Sequence, residues 1–158
     1  MTDSIHRKPT ESDAVGHTMK TAYFDCIFGV SGDMILGALV DNGVPVEHLR
    51  TELAKLHVHG YHIDAEKIVA SGIAATHVIV ETEHHHHEGH HHHEHRHLSH
   101  IREIIETSHL APRVKERAIA IFIRLAEAEA VVHGTTPEEI HFHEVGAVDA
   151  IVDVVGAC

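Results

Sequence analysis

Histidine is the residue whose number and spacing point most clearly to chemistry in this chain. The sequence holds 22 histidines in 158 residues, and they are concentrated between positions 84 and 100. Neutral imidazole binds Ni, Zn, Cu and Co, so a dense cluster predicts metal binding. The run is interrupted by Glu88, Gly89, Glu94 and Arg96 and offers nothing that could form a core. It therefore predicts a low-complexity loop that acts as a reservoir for several ions with modest selectivity.

The candidate ligands in this run are His84, His85, His86, His87, His90, His91, His92, His93, His95 and His97. Two alternatives remain: a solvated spacer that binds metal incidentally, and an expression tag. The internal position of the run and its interruption by Glu and Arg argue against a tag.

A second candidate site is the segment His-Phe-His-Glu that begins at His141. If this segment is extended, His141 and His143 point to one side and the intervening phenylalanine points into the core. Two imidazoles on one face can bind one ion, and Glu144 would complete or orient the site. Asp149 and Asp153 lie four residues apart on a predicted helix and so share a face. The alternative is a turn whose histidines bond to backbone carbonyls, beside a solvated acidic helix face.

A third candidate site lies where a predicted strand meets a predicted helix. Asp25 precedes the junction, and Gly29, Ser31, Gly32 and Asp33 form it. Free backbone N–H groups at a helix N-terminus bind anions, but Asp33 in the first turn would itself occupy that positive end. A cation held by Asp25 and Asp33 is at least as plausible as a phosphate. The alternative, a tight turn with its helix cap, explains the same residues.

Seven further histidines are scattered along the chain, and we interpret most of them as surface or core side chains. They are His48, His57, His59, His62, His77, His109 and His133. No Ser-His-Asp arrangement or reactive-cysteine setting is visible in the sequence.

Composition restricts the classes of partner. With 12 basic and 24 acidic side chains, the net charge is −12 with histidine neutral, which disfavours nucleic acid and anionic membranes as partners. Two well-separated cysteines, no signal peptide and no apolar run long enough to span a membrane predict a protein of the reducing cytoplasm.

The elements that must position these sites follow from periodicity and cap residues. We predict strands at 21–28, 61–70 and 75–83, and helices at 31–43, 45–56, 99–106, 112–132 and from 148 onward. The fold class is therefore α/β or α+β, with a small sheet of about three or more strands packed with helices. Residues 1–18 are predicted to be a disordered tail. The chain stops within an apolar helical pattern at Cys158, which predicts a truncated protein.

Three motifs together resemble one known family. The segment YFDCIFGVSGDM at 23–34, the histidine-rich insert at 84–100 and the segment HFHEVGAVD at 141–149 occur in the order found in nickel insertion proteins for the nickel-pincer nucleotide, the lactate racemase cofactor. The resemblance covers residues 19–158, as the amino-terminal domain. It departs at Phe28, where the family usually has a small residue before the glycine.

The resemblance implies a function for the whole protein, a nickel insertase of the lyase class. It implies insertion of Ni²⁺ into pyridinium-3,5-bisthiocarboxylic acid mononucleotide with consumption of CTP. The CTP site, with its divalent metal, would lie in the carboxy-terminal part, so this chain would be inactive alone. His141, His143 and Glu144 would hold or pass nickel, assisted by Asp25, Asp33 and Asp149. Gly29, Ser31 and Gly32 would help to build the substrate site.

Two other functions remain open. A nickel or zinc storage protein or metallochaperone would bind metal only through residues 84–100. A structural or oligomerisation domain would bind metal by accident. Because a carboxy-terminal partner region is expected, we also expect some exposed apolar surface, and homo-oligomerisation would be compatible with it.

Overall fold

Helices packed against a long β-hairpin make up most of the described structure. The computed structural model describes residues 22–27, 29–82, 96–142 and 145–158. The helices are α1 (Gly32–Asp41), α2 (Val46–Leu53), α3 (Leu98–Thr107), α4 (Pro112–His133) and α5 (Val148–Gly156). The strands are β1 (Tyr61–Ala70), β2 (Ile73–Thr82), β3 (Arg96–His97) and β4 (His141–Phe142). The fold is therefore α+β, one of the two predicted classes.

The hairpin is formed by β1 and β2, which pair antiparallel from Tyr61↔Thr82 to Ala70↔Ile73. Its two turn residues, Ser71 and Gly72, both have positive φ angles (52° and 80°), which suits the right-handed twist of a two-residue hairpin. Helix α1 lies against β2 at a very short distance, because a Cβ on Gly37 would come within 2.3 Å of the Thr76 carbonyl oxygen. The two strands predicted at 61–70 and 75–83 are thus joined by the turn at Gly72.

The core is made of side chains from all five of these helices, the hairpin and β4. Helix α5 is central to it, since it contacts α1, α2, α4 and β2. The largest fully buried side chains are Phe122, Phe142, Leu36, Leu53, Leu56, Ile101, Ile105, Ile151, Val78 and Val152. Burial of these aliphatic groups supplies the main driving force for folding, as the low aromatic content indicates.

Some predictions about local structure are wrong, and others concern segments outside the described residues. Residues 22–27 form no strand and are exposed, because β1 and β2 pair with each other and no strand in the described ranges pairs with this segment. Helix α3 begins at Leu98 with His97 at its N-cap, one residue earlier than predicted, because His97 is already held in β3. The predicted tail at 1–18 and the histidine run up to His95 lie outside the described residues.

No helix in the described ranges combines the length and apolar character that crossing a bilayer requires.

Candidate metal centre

Two histidines from distant parts of the sequence meet in the short ladder between β3 and β4. His97, the last candidate ligand of the histidine run, pairs directly with His141, the first residue of the HFHE segment. Their ring centroids are 3.9 Å apart, with 51° between the ring planes. His100, in the first turn of α3, places its ring 5.7 Å from that of His97. The end of the histidine run is therefore in contact with the second candidate site.

The ladder is anchored to the core by the residues beside these histidines. Phe142 is fully buried and packs edge-on against Phe122, at 6.3 Å between centroids, while His141 is exposed. This confirms the predicted orientation of Phe142 into the core. The Arg96 Nη1 donates a hydrogen bond of 2.7 Å to the Gly146 carbonyl oxygen. A Cβ on Gly146 would lie 2.9 Å from the Phe142 carbonyl oxygen, so only glycine allows the turn to approach this closely.

A carboxylate cluster forms where the N-terminus of α1 meets α5. Asp33 in the first turn of α1 and Asp149 in the first turn of α5 both lie near Asp153. A Cβ on Gly32 would be 2.5 Å from the Asp153 Cβ, so the two helices touch at this glycine. Asp153 also accepts a backbone hydrogen bond from Asp33, which partly satisfies the N-terminus of α1.

The environment of Asp153 is unfavourable for its negative charge. Burial, then repulsion from Asp33 and Asp149, raises the pKa of Asp153 to about 6. Its Oδ1 is buried and has no hydrogen-bond partner in the described structure. A buried carboxylate oxygen without a partner is a group that a cation would stabilise.

The structure brings together only part of the third candidate site. Asp25 is exposed, and its carboxylate pairs with nothing in the described ranges. Gly29 closes a turn by donating its N–H to the Cys26 carbonyl oxygen at 3.1 Å, with a positive φ of 86°. Ser31 occupies the N-cap position of α1, but its side chain makes no capping hydrogen bond, contrary to the prediction. The backbone N–H of Asp33, in the first turn, bonds to Asp153.

Several predicted ligands cannot be placed. His143 and Glu144, and the histidines from His84 to His95, lie outside the described residues. Among the residues that are described, no group of three or more His, Cys, Asp or Glu side chains could hold a metal ion. The ladder pair and the carboxylate cluster are therefore incomplete as metal sites when taken alone.

Sequence reasoning missed two of these contacts. It placed Asp153 beside Asp149 but did not bring it to Asp33, although Gly32 signalled a close approach at that point. It assigned His97 and His141 to separate sites, and nothing in a two-residue strand such as β3 would have revealed the pairing from the sequence.

Comparison with known proteins identifies the family. The family model described as nickel insertion protein matches residues 22–158. A relative from Desulfitobacterium hafniense, named pyridinium-3,5-bisthiocarboxylic acid mononucleotide nickel insertion protein, is 53% identical over 139 residues, which cover 88% of this chain and 33% of the relative. A relative of the same name from Akkermansia muciniphila is 52% identical over 141 residues, covering 88% and 35% respectively.

A further relative from Gloeobacter violaceus, also named for nickel insertion, is 53% identical over 141 residues, or 89% of this chain and 32% of the relative. The chain thus spans about a third of the length of the curated relatives it matches. No solved structure gives a significant match. The family match over nearly the whole described chain, together with these identities, shows that the chain belongs to the nickel insertion protein family.

Proposed function

We propose that this chain is the amino-terminal, nickel-binding part of a CTP-dependent nickel insertase. The whole protein would place Ni²⁺ into pyridinium-3,5-bisthiocarboxylic acid mononucleotide, as a lyase of the metal chelatase class, and so supply the nickel-pincer nucleotide for lactate racemase maturation. Membership of the family and the printed names of the relatives support this proposal. A cytoplasmic location is part of it, supported by two cysteines that are both free.

The contact between His97 and His141 is the observation that carries the proposal. It makes the end of the histidine run and the start of the HFHE segment neighbours, with 3.9 Å between ring centroids. Nickel is the substrate ion. The run would collect it and raise its local concentration, and His141, His143 and Glu144 would receive it. Imidazole and carboxylate ligands both suit a borderline divalent ion.

The carboxylate cluster would assist on the other side of the HFHE segment. Asp149 lies only a few residues after this segment. Asp149 and Asp33 are both close enough to Asp153 to repel its charge. An incoming divalent cation would relieve the repulsion among these carboxylates. Asp25 lies before α1 and would assist in holding nickel. Gly29, Ser31 and Gly32 form the chain entry into α1 and would help to build the site for the mononucleotide.

The N-terminus of α1 is a poor site for CTP. The helix N-terminus preceded by glycines, at α1, carries Asp33 and faces Asp153, and both carboxylates would repel a triphosphate. We therefore assign CTP and its divalent metal to the carboxy-terminal part of the whole protein, and we expect this chain alone to be inactive.

Nickel insertion by the full-length protein tests the proposal. His141→Ala combined with His143→Ala should lower the rate of nickel incorporation by ~10-fold or more, since ligand positions in metal sites have effects of at least this size. His133→Ala, an exposed histidine at the end of α4, is the matched control and should leave the rate unchanged. Unchanged activity in the double variant would contradict the proposal.

A storage protein or metallochaperone is the second candidate. It is favoured by the finding that the described residues contain no group of three metal-ligating side chains. On that hypothesis, deletion of residues 84–95 would abolish all tight nickel binding, whereas the insertase proposal predicts that a site at His141 survives the deletion.

A further inference from the structure

A second histidine pair lies at the opposite end of α3 from His97 and His141. The His109 Nδ1 and the His57 Nε2 are 2.9 Å apart, and the ring centroids are separated by 4.7 Å. No sequence motif links these two residues, which are 52 positions apart. Both rings are exposed. Two ring nitrogens therefore face each other at the surface, where solvent and ions can reach them.

The backbone on both sides of this pair is held in place by the core. His57 follows the 3₁₀ turn Ala54–Leu56 in a left-handed conformation (φ 58°), directly after the buried Leu56. His109 precedes the buried Leu110 and donates its backbone N–H to the Lys55 carbonyl oxygen at 3.0 Å. The two histidines are thus on segments that are already bonded to each other.

A lysine fixes the loop that carries His109. The Lys115 Nζ donates hydrogen bonds to the carbonyl oxygens of Glu106 and Ser108, at 2.9 and 2.5 Å. Ser108 is buried, and its hydroxyl donates to the Ile105 carbonyl oxygen at 2.7 Å. The loop is therefore already ordered in the folded protein. Binding of a ligand to the two rings then costs little further conformational entropy of the loop.

The separation of the two nitrogens is close to that required by a shared ion. Two imidazole nitrogens at roughly 2.0–2.1 Å from one tetrahedral ion are about 3.3 Å apart, only a few tenths of an ångström more than is seen here. Binding needs lone pairs on His57 Nε2 and His109 Nδ1, with the protons on the other two ring nitrogens. Exchange with water can move the proton between the nitrogens of an exposed neutral ring, so no net proton release is required.

We infer that His57 and His109 form a second site for a borderline divalent cation of the Zn²⁺, Ni²⁺ or Cu²⁺ class. Water completes the coordination, since no group of three ligating side chains exists among the residues that are described. The bound ion links the turn after α2, which carries His57, to the loop between α3 and α4, which carries His109. Helix α3 has ten residues. A helix of that length is about 15 Å long, so this ion is separate from any ion at His97 and His141.

Calorimetric titration of Zn²⁺ into the full chain tests this site, with the nine histidines from His84 to His95 replaced by glutamine to remove their background. His57→Gln and His109→Gln should each weaken one binding event by ~10-fold or more, because each removes half of a two-ligand site. His48→Gln, an exposed histidine on α2, is the matched control and should change nothing. His141→Ala should also leave this event intact, which separates the inference from the proposed function.

Nitrogen-detected NMR of the imidazoles gives a second readout that needs no variant at the site. Zn²⁺ should shift His57 Nε2 and His109 Nδ1 as the metal-bound nitrogens. An isotherm that is the same in both glutamine variants, or Zn²⁺ shifts confined to other histidines, would overturn the inference.

Discussion

The histidine ladder (His97 and His141) and the carboxylate cluster (Asp33, Asp149 and Asp153) flank the same segment but differ in how they are prepared for a cation. In the histidine ladder, His141 is exposed and His97 is partly buried. In the carboxylate cluster, Asp153 has a buried oxygen without a hydrogen-bond partner, and the pKa of this residue is raised to about 6. The cluster therefore carries an electrostatic cost in the absence of a cation. On the proposed function, the ladder would capture and exchange an ion, and the cluster would favour an ion that has been brought close.

The largest effect expected at the carboxylate cluster comes from breaking the contact that holds it together. Gly32→Ala should lower the free energy of unfolding by about 2–3 kcal/mol, because overpacked sites force the backbone apart. The new Cβ would lie 2.5 Å from the Asp153 Cβ. Denaturant unfolding measures the change. Ser31→Ala is the control and should stay within ~0.5 kcal/mol, because this side chain makes no capping bond. Equal losses in the two variants would show that the helix cap, and not the approach to α5, matters.

The second effect should have the opposite sign. In metal-free buffer at pH 8, Asp153→Asn should increase the free energy of unfolding by about 1–2 kcal/mol, after discounting for partial exposure. The pKa of Asp153 in the folded protein, about 6, lies above the ordinary aspartate value of 3.8. Ionisation of this carboxyl therefore lowers the free energy of unfolding above pH 6. That cost disappears as the pH falls from 6 towards 4, and the two proteins should converge there.

Urea unfolding at pH 8 and at pH 4.5 measures both ends of this range. Asp149→Asn, at an exposed position on the same helix, is the matched control and should give a smaller gain. A wild-type protein more stable than Asp153→Asn at pH 8 would contradict the account of the cluster.

Loss of the anchor beneath the histidine ladder should have a smaller effect. Arg96→Gln removes the 2.7 Å hydrogen bond to the Gly146 carbonyl oxygen and should cost about 1–2 kcal/mol, as for bonds from charged donors. Arg102→Gln breaks an exposed pair with Glu106 and should cost no more than ~0.5 kcal/mol. Thermal unfolding of the two variants compares them directly. If they were equally stable, Arg96 would not be what fixes the ladder.

The ladder histidines themselves should matter least to stability. His141→Ala in metal-free buffer should change the free energy of unfolding by no more than ~0.5 kcal/mol, because the ring is exposed and the neighbouring Phe142 provides the anchor. Phe142→Ala in the same assay should cost ~3–5 kcal/mol, as expected for a buried aromatic residue. A large loss in His141→Ala would assign this histidine to the core and not to a metal site.

Much of the fold could be predicted from the sequence because local signals determined it. The strand predicted at 61–70 and the start of α4 at Pro112 agree with the structure, whereas the predicted bounds of α1 and β2 differ from it by one or two residues at each end. The strand predicted at 21–28 was wrong because β-forming residues make a strand only where a partner ladder is available. Local composition cannot supply that information.

The candidate site was predictable in its residue types and less so in its contacts. The sequence identified His141, Asp33 and Asp149 as chemically significant, and their roles stay predictions. It could not show that His97 pairs with His141 or that Asp153 lies against Gly32, since both contacts join segments far apart in the chain. Such contacts depend on how α1, α3 and α5 pack, which periodicity does not determine.

Calorimetric titration of Ni²⁺ into a chain lacking residues 84–95 tests the central claim most directly. We expect two nickel sites to survive: one that is weakened in His141→Ala with His143→Ala and kept in His57→Gln, and the separate site at His57 and His109, which is weakened only in His57→Gln. The expected weakening in the double variant is ~10-fold or more. If the chain binds no nickel once the run is removed, or if no surviving site is weakened in the double variant, the claim that the HFHE segment receives the ion is contradicted.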